Sequence, residues 1–554
     1  MEKLTGRNAF LRLLVEEGVT HLFGNPGTTE LAIMEAVPDF PQLRYVLGLH
    51  ESVVVAMADG YARASNRLAA ANVHVAPGLG NAMGALYNAQ FSGSPIILTA
   101  GQQEQGHGLA EPLLYAPLVP VATPFVKWAV EATRVEDLPR IIRRAAKVAL
   151  TPPTGPVFIS LPGDVLEQQS EIELGAPTRI DARTRPSDEA LAELARRLLA
   201  AKNPVIVAGH ELSIHDAFAE ATELAELLGA AVYQQTVPYA AQYPTGHRAY
   251  LGALTRVQKS VRAALEPFDL LLCLGADLLR MSVYSPLDPL PAGLPVIHVS
   301  ERDWEMGKNH PTAMALHANV KETLRALLPL LRTLRGAEGA AAAERRLAAL
   351  APRNWRAQRD KARLAALEAA EEKPVDPRFL MLRFAEALPA DAVVVEEALT
   401  SSLSLPAVLE QRDAKSFYGL ASGGLGFALP GAIGVSLALP GRPVAAMIGD
   451  GSALYGIQAL WTAAHLKLPI TYVIANNRSY RILKERLISM RKTDRFVGMD
   501  IREPAIDYTA LAASMGVPGR RIADPADIAP ALREALAAGG PRLIEVMVAD
   551  GFGT

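Results

Sequence analysis

The sequence predicts an α/β protein made of three consecutive doubly wound parallel-sheet domains. Three observations carry that reading. The chain has 554 residues, too many for one hydrophobic core and enough for about three domains of 150 to 200 residues. Half of the residues are hydrophobic and a fifth are charged, so several large cores can be filled. Short β-branched runs ending in Gly, Asn or Asp alternate with segments of helical apolar spacing, the pattern of parallel strands joined by crossover helices.

In the first block the predicted strands are 21–23, 45–49, 70–75, 95–100 and 156–161, with a helix over 52–63. The second block repeats the plan at 204–208, 231–234, 270–274 and 295–299, and the third at 392–395, 444–448, 470–475 and 543–548. Two stretches interrupt the blocks. Residues 176–188 mix Pro, Arg and Thr without apolar periodicity and read as an ordered surface linker. Residues 336–373 are rich in Ala, Glu and Arg with almost no β-branched side chains, which predicts a helical connector with a solvated charged face. The domains are therefore expected at 1–180, 186–340 and 375–554, with a linker over 341–374.

Composition narrows the function. A formal net charge of -3 is no polyelectrolyte signature and argues against nucleic acid as a partner. Cys273 is the single cysteine, so an internal disulfide and a thiolate metal cluster are both excluded. The start MEKLTGRNAF lacks the pattern of a signal peptide, and no apolar run of about 20 residues is present. The expectation is a cytoplasmic enzyme of small molecules, with no membrane partner.

The candidate site begins in the third block. The run V-A-A-M-I-G-D-G at 444–451 is a buried strand that ends in a small-acid-small turn. Ligands bind at the carboxyl ends of parallel strands, and Gly449 and Gly451 would let a phosphate approach the backbone. The next strand ends in Asn476, Asn477, Arg478, Ser479 and Tyr480. Mg²⁺ prefers oxygen ligands and keeps phosphates and water as partners, so Asp450, the Asn477 amide oxygen and the Ser479 carbonyl suffice to hold it.

Gly-Asp-Gly followed about 27 residues later by Asn-Asn resembles the diphosphate signature of thiamine-diphosphate enzymes. The resemblance extends to F-G-N-P-G at 23–27, L-H-E-S at 49–52, G-L-G-N-A-M-G-A-L at 78–86 and G-G-L-G-F-A-L-P at 423–430. These segments are similar to the benzoylformate decarboxylase branch of the family, strongly in the first and third blocks and weakly in the middle one. It implies pyrimidine-binding, central and diphosphate-binding domains in that order, with thiamine diphosphate and Mg²⁺ as cofactors. Asn25, Pro26, Gly27 and Asn81 would contact the cofactor from the first domain. Leu399, Thr400, Ser452 and Tyr480 would do so from the third. Leu425 would wedge between the two cofactor rings, and the Gly423 carbonyl would accept from the 4′-amino group.

The cofactor itself supplies the carbanion chemistry, so the protein must make its C2 proton acidic. Glu51 is the carboxyl expected to do so. It stands in an apolar surround of Leu47, Leu49, Val53 and Val54, where it can share a proton with N1′ of the aminopyrimidine. In the family Glu51 and Asp450 would meet only between subunits, which implies a homodimer or homotetramer with active sites at the interface.

For the reaction, His74 matches an active-site histidine of benzoylformate decarboxylase, and Thr28 takes the place of its substrate-binding serine. The second active-site histidine aligns with Ser282, which cannot act as imidazole does near neutral pH. Proton transfer then falls to His74, His107 or water. Ile482 and Leu483 line the expected substrate pocket, and Arg486 replaces an aromatic residue, a change that suits a second anionic group on the substrate. Decarboxylation of a 2-oxo acid to an aldehyde is the leading expectation. A lyase or carboligase acting on 2-hydroxy ketones or 2-hydroxyacyl thioesters is the alternative. A catalytically silent binding subunit is a third, opposed by the joint retention of Glu51, Leu425, Asp450 and Asn477. The middle block has no Gly-x-Gly-x-x-Gly fingerprint, so no flavin or nicotinamide is indicated.

Overall fold

A computed structural model describes residues 2–552. It contains three six-stranded parallel sheets and one antiparallel pair, in which Glu2–Thr5 lies against Gln169–Ile172. The first sheet runs, edge to edge, Arg44–Leu47, His21–Gly24, Ala69–Val73, Ile96–Gln102, Val157–Pro162, Ala129–Glu131. The third runs Phe417–Gly419, Val393–Glu397, Val444–Gly449, Ile470–Asn476, Arg542–Met547, Gly519–Ile522. Numbered within each domain, both have the order 2-1-3-4-6-5. The middle sheet has the order 3-2-1-4-5-6, with Pro204–Ala208 and Leu270–Leu274 at its centre.

Every strand of the central layers was predicted, because a parallel strand covered on both faces must be a continuous apolar run. Within the six-stranded sheets the strands the sequence does not announce, Ala129–Glu131, Tyr250–Ala253, Met314–His317, Phe417–Gly419 and Gly519–Ile522, are all edges of three or four residues, and the antiparallel pair Glu2–Thr5 and Gln169–Ile172 is unannounced as well. An edge strand is half solvated and carries a weaker pattern. Two predicted strands also stop two residues early. The one expected over 70–75 ends at Val73, and the one over 45–49 ends at Leu47. In the first case His74 becomes the N-cap of the helix Val75–Ser92, and Val75 takes φ 37°, which breaks the extended backbone. The connector is helical, as Gly336–Leu350 and Trp355–Leu367.

The first and third domains share one hydrophobic core, while the central domain keeps its own. The joint is the helix Glu51–Ser65 packed on Ala428–Ala438. A Cβ on Gly434 would sit 2.0 Å from the Met57 carbonyl oxygen, and one on Gly60 2.3 Å from that of Gly431. The two helices therefore meet backbone to backbone, and only glycine allows it. The helix Glu51–Ser65 starts where His50 Nδ1 accepts the Ser52 N–H and ends at Asn66, whose left-handed φ of 55° stops the spiral. This fixes Glu51 at the first turn.

Candidate active site

Sheets of this order have a switch point between their first and third strands, where connections leave in opposite directions and open a crevice at the carboxyl ends. In the third domain that point lies between Val393–Glu397 and Val444–Gly449. Registers of Glu397 opposite Ile448 and Gly449 opposite Ala475 bring the ends of three strands level. Leu399 and Thr400, Asp450 to Ser452, and Asn477 to Tyr480 therefore emerge side by side on one rim.

Asp450 is 4% exposed. Its Oδ1 accepts the Gly451 N–H at 2.9 Å, while Oδ2 is buried without a hydrogen-bond partner among the described residues. Burial pushes this carboxyl up to about 6, against the pull of the Gly451 N–H. A bound divalent cation acts in the opposite direction and satisfies the stranded oxygen. Asn477 is buried, and its Oδ1 accepts the Ser479 N–H at 2.9 Å, which aims the carboxamide oxygen along the same turn. Among the described residues no cluster of three His, Cys, Asp or Glu side chains suits a metal. The donor set here is one carboxylate plus neutral oxygens, which fits a Mg²⁺ held jointly with phosphate. Leu399 at φ 51° and Arg478 at φ 52° adopt left-handed backbone without being glycine, a strain that concentrates at ligand-binding turns. The space beside Gly451 holds the Tyr480 ring, 2.7 Å from where a Cβ would lie.

The first domain has its switch point between His21–Gly24 and Ala69–Val73, which are followed by Asn25 to Thr28 and by His74, while Glu51 follows the edge strand Arg44–Leu47. Glu51 is 7% exposed, but its surround is not the expected apolar one. Asn25 Nδ2 donates to Oε1 at 3.1 Å and Asn81 Nδ2 to Oε2 at 3.0 Å, while Leu49 is 43% exposed. Two carboxamides, Asn25 from the turn after His21–Gly24 and Asn81 from the helix Val75–Ser92, orient the carboxyl. Gly78 lies between Glu51 and His74, its Cβ position 3.2 Å from Glu51 Oε1 and 3.4 Å from His74 Cβ, so the two groups border one patch.

Behind His74 stands Glu30, which sequence reasoning missed. It is fully buried, and its Oε2 lies 2.8 Å from His74 Nδ1 and accepts the Gly27 N–H at 2.9 Å. Its Oε1 accepts from the Gly101 N–H at 2.8 Å and the Thr29 hydroxyl at 2.8 Å. A carboxylate so placed holds the proton of neutral His74 on Nδ1 and leaves Nε2 as the acceptor. The hydroxyl that touches His74 is that of Thr29, at 3.2 Å, whereas Thr28 is exposed. Gly27 is needed for this arrangement, since a Cβ there would lie 2.1 Å from His74 Nδ1. The available signal was an acid three residues after Asn-Pro-Gly.

Pro26, Thr400 and Leu425 are half-buried at their rims, Ser452 is buried, and Gly423 is exposed with open space where a Cβ would point. Ile482, Leu483 and Arg486 share the helix Arg481–Arg491, with Leu483 47% exposed and Arg486 exposed. His107 is exposed in the 3-10 turn Gln105–Ala110, and Ser282 is exposed on a loop of the central domain. Bulky apolar neighbours of these residues, Leu109, Leu113, Tyr284, Leu403 and Tyr455, also stand in solvent. Exposed apolar side chains around an incomplete polar site are the signature of a surface meant to be covered. A cavity of about 280 Å³ lies elsewhere, at the carboxyl rim of the central sheet, lined by His210, Glu211, His215, Glu301 and Arg302.

Comparison with known proteins agrees with the geometry. Models described as thiamine pyrophosphate enzyme match in three parts: the N-terminal TPP binding domain at residues 4–111, the central domain at 191–327 and the C-terminal TPP binding domain at 404–546. The chain is 36% identical over 546 residues to benzoylformate decarboxylase of Pseudomonas aeruginosa, covering 98% of each. It is 28% identical over 561 residues to the acetolactate synthase large subunit IlvB1 of Mycobacterium tuberculosis, covering 97% of this chain and 87% of that one. Among solved structures, the thiamine diphosphate-dependent 4-hydroxybenzoylformate decarboxylase of Rhodococcus jostii RHA1 superposes with a TM-score of 0.87 at 35% identity, covering 99% of both chains. Benzoylformate decarboxylase of Polynucleobacter necessarius superposes with a TM-score of 0.88 at 29% identity, again over 99% of both. The chain belongs to the thiamine pyrophosphate enzyme family, as a thiamine-diphosphate-dependent carbon–carbon lyase related to benzoylformate decarboxylase.

Proposed function

We propose that this enzyme decarboxylates a 2-oxo acid to an aldehyde without oxidation, with benzoylformate-like acids as the default substrates and Mg²⁺ as the metal. The observation that carries the reading is the Glu30–His74 pair beside Glu51: an ordered imidazole with a fixed tautomer, one glycine away from the carboxyl that addresses the cofactor. Thiamine diphosphate, when bound, supplies the carbanion at C2. Asp450, Asn477 and the Ser479 carbonyl would hold its diphosphate through Mg²⁺, with Leu399, Thr400, Gly449, Gly451, Ser452 and Tyr480 around it. Glu51 would hold a proton at N1′, kept in line by Asn25 and Asn81. His74 would receive and return the proton that the product carbon needs, with Thr28, His107, Ile482, Leu483 and Arg486 shaping the substrate side.

In this reading the pyrimidine-binding, central and diphosphate-binding domains span 1–180, 186–340 and 375–554, with 341–374 as connector. The active unit is a homodimer or homotetramer whose sites are completed between subunits, a proposal supported by the exposed apolar residues around both rims. A cytoplasmic location is part of the proposal and is supported by the single buried free cysteine, Cys273. Among the described residues no helix is long and apolar enough to cross a membrane.

The test is to supply thiamine diphosphate, Mg²⁺ and a panel of 2-oxo acids and to measure CO₂ and aldehyde together. Release of both in equal amounts is expected. One observation favours a second reading: Ser282 places no acid where benzoylformate decarboxylase has its second histidine. Cleavage of benzoin-like ketones or 2-hydroxyacyl thioesters, with no CO₂ from any acid, would establish that lyase or carboligase reading and refute the first.

A further inference from the structure

The central strand Val393–Glu397 of the third sheet ends in two consecutive glutamates, and neither is a surface charge. Side chains alternate along a strand, so the two carboxyls leave on opposite faces. Glu396 Oε1 accepts the Ala398 N–H at 2.7 Å and the Ser402 hydroxyl, tying down the turn that carries Leu399 and Thr400. Glu397 is 1% exposed and reaches the other way. Its Oε1 accepts the Gly426 N–H and its Oε2 the Ala428 N–H, both at 2.7 Å. The N–H that Oε1 holds belongs to the Leu425–Gly426 peptide, and the one that Oε2 holds opens the helix Ala428–Ala438.

On its other side the same loop is anchored to the first domain. Asn88 Oδ1 accepts the N–H groups of Ala421 and Ser422 at 3.0 and 3.1 Å, and Ser422 Oγ accepts the Gly424 N–H at 3.1 Å. Leu425 thus sits at the apex of a short arch with one foot on Asn88 and the other on Glu397. Each of the two N–H groups meets its own carboxylate oxygen, and a carboxamide in the same place would turn its NH₂ toward one of them. A buried acid is costly to keep. Burial pushes this carboxyl up to about 7, and the N–H bonds from Ala428 and Gly426 pull the other way.

We propose that Glu397 is a positioning residue that sets where Leu425 stands, and through Leu425 the geometry in which the cofactor is held. The proposal rests on the reading of Leu425 as the wedge against the cofactor. Glu397 touches neither the diphosphate rim residues Asp450 and Asn477 nor the Glu51 patch in any hydrogen bond described above. Its loss should therefore separate holding the cofactor from shaping it.

The experiment uses the full-length enzyme reconstituted with thiamine diphosphate and Mg²⁺. Glu397→Gln is compared with wild type in cofactor Kd by calorimetry, in the near-ultraviolet circular dichroism of the bound cofactor, and in kcat and KM. The expected result is a Kd within about threefold of wild type, because Asp450 and its partners are intact. The dichroic band should be altered, and kcat should fall about tenfold to a hundredfold with KM little changed, the pattern of a misplaced contact. A purely structural role would lower thermal stability and cofactor affinity together and leave the band of the bound fraction unchanged, which overturns the proposal. If Glu397→Gln does not fold, Glu397→Asp keeps both acceptors but retracts them by one methylene, and the same altered band with reduced kcat is expected. A wild-type band and kcat in Glu397→Asp would then overturn the proposal.

Leu425→Ala distinguishes the two levels of the argument. A wild-type band and kcat in Leu425→Ala refutes the wedge reading and the proposal with it. If instead Leu425→Ala alters both, Glu397→Gln or Glu397→Asp on top of it should add little, since both changes act through one side chain, and full additivity would overturn the clamp alone.

Discussion

Glu30→Gln tests a fully buried carboxylate that receives four donors. Glutamine has one acceptor oxygen and one donor NH₂, so it can satisfy only one of the two donor pairs. If its oxygen faces Gly101 and Thr29, the NH₂ opposes the Gly27 N–H and forces His74 to move its proton to Nε2. If the oxygen faces Gly27 and His74, the NH₂ opposes the Gly101 N–H, while the Thr29 hydroxyl can rotate. Either way one buried backbone N–H is stranded, at about 1–3 kcal/mol, and the charge assistance of the remaining bonds is lost. The total destabilisation is about 2–5 kcal/mol, comparable to breaking other buried charged networks. Urea unfolding at a fixed protein concentration measures it, since an oligomer's stability depends on concentration. The same variant should lose about tenfold or more in kcat/KM on 2-oxo acids, because the imidazole no longer has a single tautomer. A change in unfolding free energy below about 0.5 kcal/mol would refute the idea that this carboxylate organises the Asn25–Glu30 turn.

Asp450→Asn removes the one ionised ligand on the third-domain rim. It should raise the half-saturating Mg²⁺ concentration about tenfold or more, while the apo protein melts at an unchanged or higher temperature because a half-partnered buried carboxylate is gone; paired thermal scans with and without Mg²⁺ and thiamine diphosphate check both. At a Mg²⁺ concentration too low to support Asp450→Asn, mixing it with Glu51→Gln under subunit exchange should restore about a quarter of wild-type activity, since half of the exchanged dimers are mixed and each carries one intact site. No recovery would place Glu51 and Asp450 of one chain in the same site. His210 is fully buried, and burial, aided by the positive field of Arg302 and its neighbours, lowers its pKa well below the ordinary 6.5. The unfolded chain therefore takes up a proton that the folded chain refuses, so this stability is present above about pH 6.5 and is lost as pH falls, by about 1.4 kcal/mol per pH unit. His210→Phe, which keeps the packing against Tyr239, should flatten the acid limb of unfolding free energy against pH by one proton's slope.

The fold class, the three-block order and the turns proposed to hold the cofactor were legible in the residues alone. The reason is local. A strand buried on both faces has to be a continuous apolar run, and a turn that approaches a ligand has to be built from Gly, Asn and Asp, so Gly449 to Gly451 and Asn476 to Ser479 announce themselves. Edge strands such as Ala129–Glu131 do not, because half of their surface makes no demand on residue type. Only the tertiary structure decided which polar groups are buried together. Glu30 looks like any acid at a helix start until Gly101, 71 positions away, donates to it, and Glu397 looks like a strand-end charge until the Gly426–Ala428 backbone folds over it. The carboxamides around Glu51 and the choice of Thr29 over Thr28 as the neighbour of His74 belong to the same class. Burial of a charge depends on partners that arrive from distant elements, and pairwise distance across a fold is not written in the spacing along the chain.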